Sequence, residues 1–324
     1  MKTNQIKKPL WKRIIKVIMM ILAGLFILLA VTLTTTTIIH RVSLNKEANQ
    51  IKPYGKQIPV FDGKINVVDE GKGDQVIVLL PGQGTASPYY DFKPLIDDLK
   101  KENRVVTIEP FGYGLSTQTK RPRTIENYTE ELHAVTEKLG LKKYIVMGHS
   151  ITGLYAVNYA QTYASEMQGF IGIDTSTPEQ PWPGIDMTFF DLLKSTGIFR
   201  AVIATNPTKN LGIAEDDPNF EQIRLVTMKN MSSRNMAEEL QELSNSFPNS
   251  RGLKYPKNMP VLLFVARSEN AMENWLKLHE QQIEGLDHGK VIELDGPHYL
   301  HHEQEETIYK ESEDFIQNVI QKQS

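Results

Sequence analysis

Ser150 lies in the run Tyr144-Ile145-Val146-Met147-Gly148-His149-Ser150-Ile151-Thr152-Gly153, where a short apolar strand pattern gives way to a helical one. A serine hydroxyl is a weak nucleophile until a neighbouring base takes its proton and an acid orients that base. A tight strand-to-helix turn presents the hydroxyl above a sheet and aims the next backbone N–H at a developing oxyanion. The chemistry suggested is acyl transfer. A G-x-S-x-G turn would place glycine at position 152, but Thr152 stands there and the glycine arrives one residue later, at Gly153. Position 152 falls in the first helical turn, where φ is negative. The limit there is bulk, so a residue as small as threonine is tolerated.

Near the C-terminus, Glu293-Leu294-Asp295-Gly296-Pro297-His298-Tyr299-Leu300-His301-His302 supplies a base. Leu294 closes a strand pattern, Gly296-Pro297 makes a loop, and His298 follows it. His301 and His302 fall at the start of the final helix and read as helix-start or packing residues. Their spacing matches no H-E-x-x-H zinc motif, so no metal is expected. The orienting acid is expected after the penultimate strand, where Glu269 follows Ala266 on a loop entering a helix. Asp174, which ends the strand after the Ser150 helix, is the alternative acid. An oxyanion needs two N–H donors, expected from Ile151 and from Gln83 in the loop Pro81-Gly82-Gln83-Gly84. No glycine pattern here makes a nucleotide-binding loop, and no cofactor is expected.

These residues need rigid elements to hold them. Gln57 to Phe61 and Lys64 to Glu70 alternate as strands joined by a turn at Asp62-Gly63. Val76 to Leu80 is apolar on both faces, as in a covered sheet. Strands at Arg104 to Ile108, Tyr144 to Met147, Gly169 to Ile173, Val261 to Ala266 and Lys290 to Leu294 then alternate with helices. That rhythm predicts an α/β fold with a mostly parallel central sheet and helices on both faces. From about 177 to 257 the rhythm breaks into helical patches with several prolines, which reads as an inserted helical cap.

Four segments taken together resemble the α/β-hydrolase superfamily, in its capped branch of esterase- and peptidase-like proteins with a serine nucleophile. They are VIVLLPGQGTASP, IEPFGYGLS, YIVMGHSITG and LDGPHYLHHEQ, and the resemblance covers about residues 57–324. It implies the α/β-hydrolase fold and a Ser150–His298–Glu269 triad. The chain departs from the family pattern at Pro81, at Glu109 in place of a leading aspartate, and at Thr152. A serine nucleophile sets it apart from the dehalogenase and epoxide hydrolase relatives, which use aspartate.

The 324 residues include no cysteine, which excludes disulfides, thiolate metal sites and a cysteine nucleophile. A net charge of −3 argues against a nucleic-acid partner. Residues 1–16 are basic, and Val17 to Ile39 carries no charge. Those about 23 residues span roughly 34 Å as a helix, enough to cross a ~30 Å hydrocarbon core. The expectation is one transmembrane signal-anchor at 17–39 and a tether at 40–56. The N-terminus would be cytoplasmic and the 57–324 domain extracytoplasmic, with secretion after signal cleavage as the alternative. The activity expected is hydrolysis of a small-molecule ester, possibly lipid-like. An amidase or aminopeptidase on the same triad, or a low-turnover binding protein, is the alternative.

Overall fold

The computed structural model describes residues 10–186, 196–211, 213–214, 216–231, 233–267 and 272–323. The chain divides into two compact units, Met1–Gln50 with Thr188–Asp217, and Ile51–Met187 with Pro218–Ser324. The stretch expected as a cap is therefore shared between them. Among the described residues the α-helices in chain order are α1 (Leu10–Glu47), α2 (Pro88–Asp91), α3 (Lys93–Leu99), α4 (Ile125–Lys138), α5 (Thr152–Tyr163), α6 (Ile198–Thr205), α7 (Pro207–Leu211), α8 (Phe220–Asn230), α9 (Arg234–Ser250), α10 (Trp275–Ile283) and α11 (Glu305–Phe315). Of these, α1, α6 and α7 lie in the first unit. The apolar helix α1 does not stop at Ile39 but runs on to Glu47, because the first breaker beyond it is Pro53.

The larger unit is built on β1 (Lys56–Val60), β2 (Gly63–Glu70), β3 (Val76–Leu80), β4 (Arg104–Glu109), β5 (Tyr144–His149), β6 (Met167–Ile173), β7 (Val261–Arg267) and β8 (Gly289–Asp295). They form one sheet in the order β1-β2-β4-β3-β5-β6-β7-β8. β1 and β2 are antiparallel to their neighbours, and all later pairings are parallel. This is the α/β-hydrolase fold.

Alternation along the strands feeds two cores. Ile77 and Leu79 of β3, with Ile145 and Met147 of β5, pack against Leu95 and Leu99 of α3 and Ile308 and Phe315 of α11. Val78, Leu80 and Val146 turn to the opposite face, against Leu132 and Val135 of α4 and Ala156 and Tyr159 of α5. Each such side chain contributes about 1.5–3 kcal/mol by leaving water. Because both faces are covered, the strands read as continuous apolar runs.

Glu109, the departure at the end of β4, is fully buried. Its carboxylate accepts from Tyr54 Oη (2.8 Å), Asn66 Nδ2 (3.0 Å), Leu115 N (2.7 Å) and Tyr89 N (3.4 Å). Burial raises its pKa, and these donors act against that rise. The carboxylate thereby shapes the loop after β4. Gly114 lies directly against it with φ +46°, and a Cβ there would sit 1.8 Å from Oε2. Gly114→Ala is expected to destabilise the domain by more than about 2 kcal/mol, because overlap adds to left-handed strain. Chemical denaturation of the purified chain checks this.

Candidate active site

The parallel strands β5 and β6 pair Gly148 with Gly172 and His149 with Ile173. One step further along each strand come Ser150 and Asp174, so the register alone sets them side by side at the carboxyl edge of the sheet. Crevices at that edge are where open α/β sheets hold their ligands. Both residues have left-handed backbones, with φ of 55° for Ser150 and 43° for Asp174. That conformation is uncommon outside glycine and makes each the apex of a sharp turn. The turns are held by Ser150 N donating to Ile173 O (3.2 Å), Ser176 N to Ser150 O (2.8 Å) and Asp174 N to Phe264 O (2.8 Å).

Thr152 is fully buried, and its hydroxyl donates to Pro81 O at 2.9 Å, tying the start of α5 to the end of β3. Its bulk is absorbed by Gly148, where a Cβ would lie 2.4 Å from Thr152 Cγ2. Gly153 serves another contact, since a Cβ there would lie 2.3 Å from Ser176 O. The late glycine thus lets α5 pack on the loop that carries Asp174.

His298 follows β8 and completes a hydrogen-bonded line. Its Nε2 lies 3.0 Å from Ser150 Oγ, and its Nδ1 lies 2.6 Å from Asp174 Oδ2. Asp174 Oδ1 accepts from Ala266 N (2.8 Å) and Trp275 Nε1 (2.7 Å). The carboxylate is nearly buried, whereas His298 remains half exposed. Glu269, expected as the acid, lies outside the described residues. Asp174, the alternative, is the carboxylate that meets His298.

Gly82 brings the loop after β3 against the serine, for a Cβ there would sit 3.1 Å from Ser150 Cβ. Among the described residues no hydrogen bond uses the N–H of Gln83 or of Ile151. Gln83 is held through its side chain, whose Nε2 donates to Met236 O of α9 at 3.0 Å. Next to it Gly84 N donates to Tyr113 Oη (3.3 Å), and Tyr113 Oη donates to Glu239 Oε2 of α9 (2.7 Å). Tyr155 of α5 donates to the other oxygen at 2.6 Å. Glu239 is buried, which raises its pKa. Trp182 stacks on Phe247 of α9 and packs against the apolar cluster that holds Ile151 and Leu154, so it belongs to the packing under the helices.

On sequence His301 and His302 read as helix-start or packing residues; with His149 and His279 they form a shell around the line. His149 Nε2 meets the His298 carbonyl at 2.9 Å and so fixes the loop bearing His298. His301 Nε2 and His302 Nε2 each take one oxygen of Asp91, at 2.9 and 3.0 Å. Those three residues carry a donor set that suits a metal ion, and here hydrogen bonds satisfy it. His279 places Nδ1 2.8 Å from Trp275 O and Nε2 2.7 Å from Thr175 O, bracing the loop after Asp174. The helix face offered no clear signal for His279, since Gln282 one turn on is buried and polar as well. For Trp275 there was none.

Residues 75–304 match the alpha/beta hydrolase fold family. The chain belongs to that family. It is 31% identical to the uncharacterized protein YbdG of Bacillus subtilis (strain 168), over 96% of this chain and 99% of that protein. It is 26% identical to a 2-hydroxy-6-oxononadienedioate/2-hydroxy-6-oxononatrienedioate hydrolase of Pseudomonas sp, over 62% of this chain and 72% of that protein. Among solved structures, the enol-lactonase of Burkholderia xenovorans LB400 superposes with a TM-score of 0.60 at 19% identity, covering 81% of this chain and all of that one (100%).

The buried histidines make stability depend on pH. Loss of hydration holds His149, His279 and His301 below the ordinary imidazole value. Neutral in the fold, they gain protons on unfolding once the pH is below about 6.5, so their contribution is full above that and falls toward their folded values. Burial also opposes charge on His302, but the bond to Asp91 outweighs it and raises this group. His302 therefore adds stability at low pH that is lost as pH rises through its folded value. Three groups act in the first sense and one in the second. Thermal melts of the purified chain are expected to show stability dropping between about pH 6.5 and about pH 5.5, with a shallower drop in His279→Gln.

Proposed function

We propose that this family member is a serine hydrolase that cleaves esters through an acyl-enzyme, with Ser150 as nucleophile, His298 as base and Asp174 as the orienting acid. The observation that carries the reading is the continuous line Ser150 Oγ–His298 Nε2 (3.0 Å) and His298 Nδ1–Asp174 Oδ2 (2.6 Å). Asp174 takes the role that the sequence pattern offered to Glu269.

In this reading Ser150 Oγ attacks the ester carbonyl carbon while its proton passes to His298 Nε2. The charge on the carbonyl oxygen falls to the N–H groups of Gln83 and Ile151. Collapse of the tetrahedral species breaks the C–O bond, and the imidazolium returns its proton to the departing alkoxide. Water then gives a proton to His298 and attacks the acyl carbon, and Ser150 leaves with that proton as the acid is released. Asp174 holds the imidazole in the tautomer with hydrogen on Nδ1.

The helix α1 has the length and apolarity of a membrane span. We read it as an anchor, with the basic residues before Val17 on the cytoplasmic side. Membrane attachment favours esters with an apolar acyl chain as substrates.

Kinetics on p-nitrophenyl esters of graded chain length, beside aminoacyl amides, test the assignment. Asp174→Asn is expected to lower kcat by about 10³–10⁴-fold with little change in KM, because it inverts the histidine tautomer. Glu269→Gln is expected to stay near the wild-type rate. The reverse ranking would return the acid role to Glu269, and amides outpacing esters would replace the esterase reading.

A further inference from the structure

The smaller unit contains the end of α1 and the helix α6, and they are joined by a charge pair. Arg200, the only charged residue of α6, donates both terminal nitrogens to Glu47, Nη1 to Oε1 and Nη2 to Oε2, each at 2.7 Å. Its Nε donates to His40 Nδ1 at 3.2 Å. Both members of the ion pair are mostly shielded from solvent, at 14% and 12% side-chain exposure. A planar, bidentate pair of this kind fixes geometry as well as charge. Gly197, with φ +70°, begins α6 against the same stretch, where a Cβ would lie 2.6 Å from His40 Cβ and 2.8 Å from Thr36 O.

That contact sets the level of α6. Val17 to Ile39 is the uncharged part of α1; Thr36 lies in the last turn of that stretch and His40 directly follows it. If α1 crosses a bilayer, this turn lies where hydrocarbon gives way to headgroups. The apolar exposure of α1 continues there through Ile38 (57%), Ile39 (53%) and Val42 (47%). On α6, Ile203 is buried, while Ile198, Ala201 and Val202 lie on another face one turn apart, with Val202 48% exposed. Since Arg200 is committed to Glu47 and His40, that face presents no charge. A short helix with an uncharged, exposed apolar face at that depth fits the headgroup–acyl boundary.

We infer that α6 is an interfacial membrane segment, docked on α1 by Arg200 and Glu47, with Ile198, Ala201 and Val202 resting in the outer boundary of the lipid leaflet that α1 leaves. The occupant of the face is the same bilayer, because Gly197 and Arg200 seat α6 beside Thr36, His40 and Glu47, at the end of the uncharged stretch of α1. This inference rests on α1 spanning the membrane, as proposed above.

The chain has no cysteine, so single probes are placed cleanly. The full chain would be reconstituted in phosphatidylcholine–phosphatidylglycerol vesicles as Val202→Cys, Ile27→Cys or Lys142→Cys, each labelled with an environment-sensitive fluorophore. The Val202 probe is expected to shift to the blue and lose intensity with lipids brominated near the headgroup. The Ile27 probe should be quenched by deeply brominated lipids, and the Lys142 probe by neither. Adding Glu47→Ala should release the Val202 probe from quenching while leaving Ile27 quenched. A Val202 probe that behaves like Lys142 beside a quenched Ile27 would overturn the interfacial segment and leave the anchor standing. An unquenched Ile27 would overturn both.

Discussion

The site depends on the register of two neighbouring parallel strands. With Gly148 opposite Gly172, the residues that end β5 and β6 are brought abreast, and each is bent into a left-handed turn, at Ser150 and at Asp174. A one-residue slip would turn one of them toward the other face of the sheet. The register is held from both sides, by Ile145, Met147 and Ile171 in one core and by Val146 and Phe170 in the other. The strain of the two turns, of order 1–3 kcal/mol each, persists only because that packing is over-determined. His298 then has one place to go, between the two side chains.

Around this pair the fold secures the parts that a loop alone would leave loose. His149 holds the backbone of His298, and Trp275 and Ala266 fill the second oxygen of Asp174. On the other side, Gln83 and Gly84 are tied through Met236, Tyr113 and Glu239 to α9. The helix α9, which lies between β6 and β7 in the chain, therefore positions the loop expected to bind the oxyanion. A functional group held by such a shell keeps its geometry without reorganising during reaction.

Much of this was legible in the sequence, and the reasons for the remainder are physical. Strands buried on both faces announce themselves as apolar runs, so the sheet, its mostly parallel sense and the turns at Ser150 and after Leu294 could be read directly. Choosing between Glu269 and Asp174 could not be done that way. Both follow strands, and which carboxylate reaches an imidazole depends on turn geometry and on donors as far away in sequence as Trp275. The left-handed turn at Asp174 had one clue, since aspartate tolerates that conformation better than most residues. Thr152 read as a departure from a motif because its compensation lies elsewhere, in the space left by Gly148 and the carbonyl of Pro81. The extension of α1 to Glu47 and its pairing with Arg200 join segments 153 positions apart, beyond any local pattern.

The central claim is that Ser150 is an activated nucleophile. The most direct measurement is to expose the folded full chain to a small fluorophosphonate and map the adduct by mass spectrometry, with Ser150→Ala as control. A single phosphonyl adduct on Ser150, absent from the control, is the result this account predicts. A folded protein that takes no adduct, or takes it on another serine, would contradict it.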